Sequence, residues 1–101
     1  MKIAIASLGE DKQSEVSDQA ARAPYYLIFD EKGELLETIK NPFNVGGGGA
    51  GFAAAKMLAD KEINIVIANN FGPNMIGALK ERGLKFEEKT GKIEEIIKEI
   101  V

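Results

Sequence analysis

Two short apolar runs, far apart in the chain, constrain the fold most strongly. Ile3–Ala6 is wholly apolar, and Asn64–Ala68 is apolar after its first residue. Short apolar runs without polar alternation are typical of strands that are buried on both faces of a parallel sheet. We therefore predict that these two runs are adjacent, parallel strands at the centre of one sheet.

Three further strands are predicted around this pair. Tyr25–Asp30 and Glu34–Lys40 are rich in β-branched, aromatic or aliphatic residues and flank a tight turn at Glu31–Gly33, which indicates a hairpin. Polar and apolar residues are mixed along Glu34–Lys40, so this strand is expected near an edge of the sheet. Leu84–Glu87 alternates and predicts a short strand at the other edge.

Three helices are expected between and after these strands. Phe52–Lys61 is helical in composition, and a second helix begins at Pro73, which suits the first helical position, and stops near Gly83. The last helix starts after Thr90. Its apolar residues repeat at helical spacing and form a broad stripe: Ile93, Ile96, Ile97, Ile100 and Val101.

Topology rules narrow this element order to one arrangement. The first three strands form an antiparallel meander, so the spatial order is 3-2-1-4-5 and strand 2 alone is antiparallel. Right-handed crossovers place the first two helices on one face, and the amphipathic last helix covers the other. The sequence of 101 residues therefore predicts a single three-layer α/β/α domain over residues 1–101.

Composition excludes much enzymatic chemistry. The chain contains no cysteine and no histidine, which rules out a Ser-His-Asp triad, thiolate or imidazole metal ligands and histidine acid-base catalysis. A net charge of −3 argues against nucleic-acid binding. No apolar run resembles a secretory signal or a membrane span, so a cytoplasmic protein is expected. Abundant Lys and Glu with little Gln favour a thermophilic source.

The predicted topology brings three connections to one edge of the sheet. The long loop 8–23, the glycine run 46–51 and the turn 69–73 all lie at the carboxyl ends of the parallel strands. Open α/β sheets bind ligands at this edge, and two helices begin there with unpaired N–H groups. An anion-binding site is therefore expected at the carboxyl edge.

The glycine run fits no specific nucleotide motif. Gly46–Gly51 satisfies the glycine spacing of a phosphate loop, but Phe52 and Ala53 stand where Lys and Ser or Thr belong. The dinucleotide pattern also fails, because Pro42 interrupts the approach and no acid follows at the required distance. Consecutive glycines can still expose backbone N–H groups to an anion, so Gly48→Val is expected to weaken binding.

Candidate ligand-binding residues follow from this position, and no catalytic or metal-ligating residue is assigned. Arg22 could form a fork onto a carboxylate or phosphate, although a packing role fits equally well. The Asn-rich turn offers uncharged donors and acceptors, although ordinary turn chemistry also uses Asn, Gly and Pro. The full set is Ser7, Arg22, Gly46, Gly47, Gly48, Gly49, Asn69, Asn70, Gly72 and Asn74.

Taken together, the motifs resemble a known family. Five segments occur in an order and at distances similar to those of the dinitrogenase iron–molybdenum cofactor biosynthesis family: Ser17–Tyr26 with its Arg22–Tyr26 core, Asn41-Pro42, Gly48–Gly51, Val66–Ala68 and Gly72–Asn74. The resemblance covers nearly the whole chain. It implies a ribonuclease H-like motif without the nuclease acids, and a nitrogenase accessory factor that carries the cofactor or its iron–sulfur precursor.

One segment departs from the family pattern. The family commonly has His-Phe-Gly where this chain has Gln19, Ala20 and Ala21. The resemblance implies a metallocluster cargo. Because the histidine is absent here and the chain has no cysteine, this chain would hold that cargo without a Cys or His ligand.

Three functions are compatible with the sequence. The first is a non-enzymatic carrier that holds an anionic metallocluster or a small anion and meets a protein partner in cofactor assembly. The second is an enzyme or sensor that uses the same site for a phosphorylated small molecule or nucleotide. The third is an interaction module that uses loop 8–23 as its contact.

Overall fold

The computed structural model describes residues 1–46 and 48–101. It contains five strands and three helices in the predicted chain order. Their bounds are β1 Lys2–Ser7, β2 Tyr25–Asp30, β3 Leu35–Lys40, α1 Ala50–Asp60, β4 Ile65–Ala68, α2 Pro73–Glu81, β5 Lys85–Glu88 and α3 Ile93–Ile100.

The strands form one mixed sheet in the order β3-β2-β1-β4-β5, as predicted. β1 pairs parallel with β4, with Ile3 opposite Ile65, and β4 pairs parallel with β5. β2 runs antiparallel to both of its neighbours. The prediction that the two apolar runs are adjacent, parallel and central is confirmed, because apolar strands are stable where both faces are covered.

Two hydrophobic clusters lie on opposite faces of the sheet. One contains Leu58 of α1, Met75 and Leu79 of α2, and the strand residues that face these helices. The other contains Ile93, Ile96 and Ile97 of α3 packed on the opposite face. The three-layer arrangement is therefore confirmed, with α1 and α2 on one side of the sheet and α3 on the other.

The start of α1 differs from the prediction. The helix begins at Ala50 instead of Phe52, so Ala50 and Gly51 belong to its first turn and not to a loop. Gly49 precedes the helix in a left-handed conformation, with a φ of 86°. The glycine run 46–51 was expected to be a loop, but Gly51 lies in the first turn of α1 and makes a tertiary contact described below.

The other boundaries agree to within about two residues of the prediction, a difference that is normal for element ends. No helix among the described residues is both long and apolar enough to cross a membrane.

Candidate functional site

A cleft lies at the carboxyl edge of the sheet, on the face covered by α1 and α2. It has a volume of about 510 Å³ and is formed by three segments, 19–22, 48–51 and 70–75. These belong to the three connections that the topology was expected to bring together. The cleft is large enough for a small-molecule or cluster ligand.

Two helix starts form one side of the cleft. Gly49 precedes α1 and Gly72 precedes α2, and neither helix start has a side-chain cap. Pro73 occupies the first position of α2, where its missing N–H is not needed. Neither helix has an acidic residue in its first turn. Both helices therefore direct N–H groups and partial positive charge toward the cleft.

The two helix starts touch at Gly51. A Cβ built on this glycine would lie 2.9 Å from the backbone nitrogen of Met75 and 3.2 Å from the Met75 Cβ. Both distances are shorter than ordinary van der Waals contact, so only a glycine permits this approach. The contact brings the first turns of α1 and α2 against each other, so that both line the same cleft.

Arg22 is the cation that lines the cleft. Its Nη1 donates to the carbonyl oxygens of Phe43 and Gly46, each at 3.4 Å. The guanidinium therefore connects the 19–22 segment to the glycine-rich segment as well as facing the ligand space. Both roles considered for this arginine, packing and anion recognition, are compatible with its position.

The 19–22 segment is itself held by two buried side chains. The Tyr26 hydroxyl donates to the Ala20 carbonyl, and the Asn41 amide donates to the carbonyls of Ala21 and Ala23, both at 2.9 Å. Burial raises the pKa of Tyr26 far above its usual value, so the hydroxyl remains a donor at any physiological pH. Sequence reasoning assigned neither Tyr26 nor Asn41 to the site.

The long loop is joined directly to the turn after β4. Gln19 forms a parallel bridge with Asn70, and the Ala20 N–H donates to the Asn70 carbonyl at 3.0 Å. The Asn70 N–H donates to the Asp18 carbonyl at 2.9 Å. These bonds fix two walls of the cleft relative to each other.

The predicted site residues divide into two groups. Six line the cleft: Arg22, Gly48, Gly49, Asn70, Gly72 and Asn74. Ser7, Asn69 and Gly46 are not among its lining residues. The Ser7 hydroxyl is buried and donates to the Gly9 carbonyl, the Asn69 amide donates to Asp18, and the Gly46 carbonyl accepts from Arg22. Gly47 lies outside the described residues.

The structure favours Gly49 over Gly48 as the position for a valine substitution that tests the glycine-rich loop. Gly49 has the left-handed backbone that favours glycine. No atom lies within 4 Å of a Cβ built on Gly48. A valine at Gly48 would therefore extend into open space, whereas one at Gly49 would strain the backbone at the start of α1.

The donor set of the cleft suits an anion and not a bare metal ion. Within residues 1–46 and 48–101, no group of three or more acidic side chains is placed to hold a metal, and the sequence has no Cys or His. The described lining residues include no Asp or Glu. Backbone N–H groups and a guanidinium hold anions through hydrogen bonds, without direct metal ligation.

Comparison with known proteins gives a consistent family assignment. A family model described as dinitrogenase iron-molybdenum cofactor matches residues 1–101. An uncharacterized protein of Methanocaldococcus jannaschii is 30% identical over 87 residues, which cover 82% of this chain and 74% of that protein.

Two solved structures are similar to this fold. A NifB-like protein of the DUF35 family from Thermotoga, solved by NMR, has a TM-score of 0.80 and 35% identity, over 96% of this chain and 84% of that one. The apo form of the orange protein from Desulfovibrio gigas has a TM-score of 0.88 and 23% identity, over 96% of this chain and 83% of that one. The second likeness concerns the fold alone.

Proposed function

The chain belongs to the dinitrogenase iron-molybdenum cofactor family, and from this premise we propose that residues 1–101 act as one non-enzymatic carrier domain. The proposed cargo is an anionic metallocluster, either the iron–molybdenum cofactor or an iron–sulfur precursor. The cargo is held in the cleft and passed to a protein partner in cofactor assembly. The cytoplasmic location and thermophilic source expected from the sequence stay predictions.

One observation carries this proposal. The cleft combines two uncapped helix starts with Arg22, and its described lining includes no carboxylate. Anions are stabilised by such preorganised N–H groups, because the donors need no reorganisation when the ligand arrives. Nothing in this donor set ligates a metal tightly, which suits a carrier that must release its cargo.

The site residues of the proposal are those that line the cleft. Arg22, Asn70 and Asn74 offer side-chain donors, and Gly48, Gly49 and Gly72 lie where the backbone is open to a ligand. Gly46 contributes indirectly, through the carbonyl that Arg22 contacts. Because Ser7 and Asn69 bond to other protein groups, we leave them out of the ligand shell.

An anaerobic titration tests the proposal. The protein is mixed with a synthetic four-iron, four-sulfide cluster dianion or with inorganic phosphate, and amide shifts are followed by NMR. We expect the cluster to shift the amides of 48–51 and 70–75 and to co-elute with the protein on gel filtration. Binding of phosphate or nucleotides alone would favour the phosphorylated-ligand function instead. Shifts confined to other parts of the chain would overturn both.

Gln19→His is expected to strengthen cluster binding specifically. Gln19 is exposed and lines the cleft. A neutral imidazole can coordinate a cluster iron, whereas an amide side chain coordinates it poorly. At pH 8, where an ordinary histidine is mostly neutral, we expect cluster affinity to rise by about tenfold and phosphate affinity to stay unchanged.

Gln13→His is the matched control for this variant. It makes the same substitution at the other glutamine of the chain, which donates to Glu94 away from the cleft. Equal gains in cluster affinity for the two variants would mean that any surface histidine recruits the cluster, and that the cleft is not its site.

A further inference from the structure

Four backbone carbonyls in and next to the 19–22 wall of the cleft accept hydrogen bonds from side chains. Of the five carbonyls of residues 19–23, those of Gln19, Ala20, Ala21 and Ala23 each accept a side-chain hydrogen bond. The donors are the Ser17 hydroxyl at 3.1 Å for Gln19, the Tyr26 hydroxyl for Ala20, and the Asn41 amide for the other two.

These donors lie inside the protein and not in the cleft. Ser17, Tyr26 and Asn41 are 4%, 0% and 1% exposed, and none of them lines the cleft. A carbonyl that accepts from a buried donor must point toward it. The negative ends of these four peptide dipoles are therefore directed into the protein.

The N–H groups of this wall are engaged less completely: those of Gln19 and Ala20 donate to the Ser17 hydroxyl and the Asn70 carbonyl. Among the described residues, the N–H of Ala21 has no hydrogen-bond acceptor. Ala21 and Arg22 both line the cleft, and the guanidinium of Arg22 extends from the same stretch of chain. The Ala21 N–H and the Arg22 guanidinium are therefore the donors that this wall can offer to an anion in the cleft.

We propose that Tyr26 and Asn41 are positioning residues that give this wall its preference for anions. By binding the carbonyls of Ala20, Ala21 and Ala23, they remove hydrogen-bond acceptors that would repel an anion from the cleft. The inference rests on the proposed function for the identity of the cargo, but the polarity of the wall is measurable without any cargo.

The alternative is that both residues only stabilise the loop. Asn41 also accepts from the Phe43 N–H at 3.0 Å, and its own N–H donates to the Pro24 carbonyl. A purely structural role predicts that removal of either side chain lowers the melting temperature and leaves the local potential of the cleft unchanged. The two roles therefore differ in an electrostatic measurement.

The test uses nitroxide probes that do not need a specific site. Amide relaxation is measured with a carboxylate-bearing nitroxide and with its uncharged carboxamide analogue, in the unmodified protein, Tyr26→Phe and Asn41→Ala. The anionic probe should give excess relaxation at Ala21 and Asn74 in the unmodified protein. In each variant we expect this excess to fall by about half, because freed carbonyl dipoles oppose the N–H dipoles. Tyr26→Phe removes only a hydroxyl and keeps the test available if Asn41→Ala does not fold.

Ile97→Val serves as the stability control. Ile97 is buried in the cluster on the α3 face, so its truncation destabilises the protein without touching the cleft. The inference is overturned if the unmodified protein gives no excess at Ala21, or if Tyr26→Phe retains the full excess. The two proposals can also be separated. If Tyr26→Phe reduces the excess relaxation seen in the unmodified protein, but the iron–sulfur cluster does not bind, the inference is supported and the proposed cargo is overturned.

Discussion

Replacing Gly51 with valine is expected to destabilise the protein and to separate the two helix starts. Its Cβ would lie 2.9 Å from the Met75 backbone nitrogen and 3.3 Å from the Met75 Cα. A backbone atom cannot rotate away as a side chain can, so α1 and α2 must move apart. We expect Gly51→Val to lower the free energy of unfolding by about 3 kcal/mol, as other overpacked sites do.

The same displacement should weaken anion binding. Loss of one hydrogen bond to a charged ligand corresponds to about a tenfold rise in Kd for the iron–sulfur cluster. Unfolding in denaturant gives the stability, and a titration well below the melting temperature gives the Kd.

Gly77→Val is the matched control for this experiment. Gly77 lies in α2, and no atom is found within 4 Å of a Cβ built there. Helix propensity alone then applies, and stability should change by less than about 0.5 kcal/mol. If Gly51→Val unfolds at the same denaturant concentration as Gly77→Val, the close approach of the two helices does not exist in solution.

Replacing Arg22 with alanine is expected to have the largest effect on binding. The change removes the cation that lines the cleft and its hydrogen bonds to the Phe43 and Gly46 carbonyls. Hydrogen bonds to charged groups contribute about 1.5–3 kcal/mol, so Kd for the iron–sulfur cluster should rise by roughly 30-fold. Added salt should weaken binding to the unmodified protein more than binding to Arg22→Ala.

Two further variants separate charge from architecture. Arg82→Ala makes the same change of net charge at the other arginine of the chain, which lies at the opposite end of α2 and outside the cleft. Its effect on Kd should stay below about twofold because solvent and salt screen a remote charge. Arg22→Lys keeps the charge without the planar fork and should give an intermediate Kd. Equal Kd values for Arg22→Ala and Arg82→Ala would remove Arg22 from the site.

The architecture was predictable because it depends on patterns that the chain carries locally. Continuous apolar runs at Ile3–Ala6 and Asn64–Ala68 identify central strands, and crossover handedness then determines the positions of the helices. The carboxyl edge follows from that topology, so the three segments of the cleft could be named in advance. When the strand order can be predicted from the sequence, the segments that form the cleft can be predicted as well.

The roles of single residues in the site were less accessible. Asn41 bonds to Ala21 and Ala23, and Tyr26 bonds to Ala20, through contacts that no local pattern encodes. The one available signal was the position of Asn41, a polar residue at the end of a strand and directly before Pro42, which could have indicated a structural role for its side chain. Gly51 was assigned to the glycine-rich loop, because no local pattern shows its close contact with Met75 of α2. Ser7 and Asn69 were placed at the correct edge, but their hydrogen bonds are made to the protein itself.

The cleft also has a consequence for the order of events during biosynthesis. The meander of β1, β2 and β3 uses contacts between neighbouring segments, whereas β1 pairs with β4 across most of the chain. Pairing of distant segments forms late, because a long loop must close first. A nascent chain that ends before residue 70 therefore has the 19–22 wall but lacks the 70–75 wall. If the cleft holds the proposed metallocluster, its capture must follow completion of the sheet, and an unfinished chain on the ribosome could not bind it.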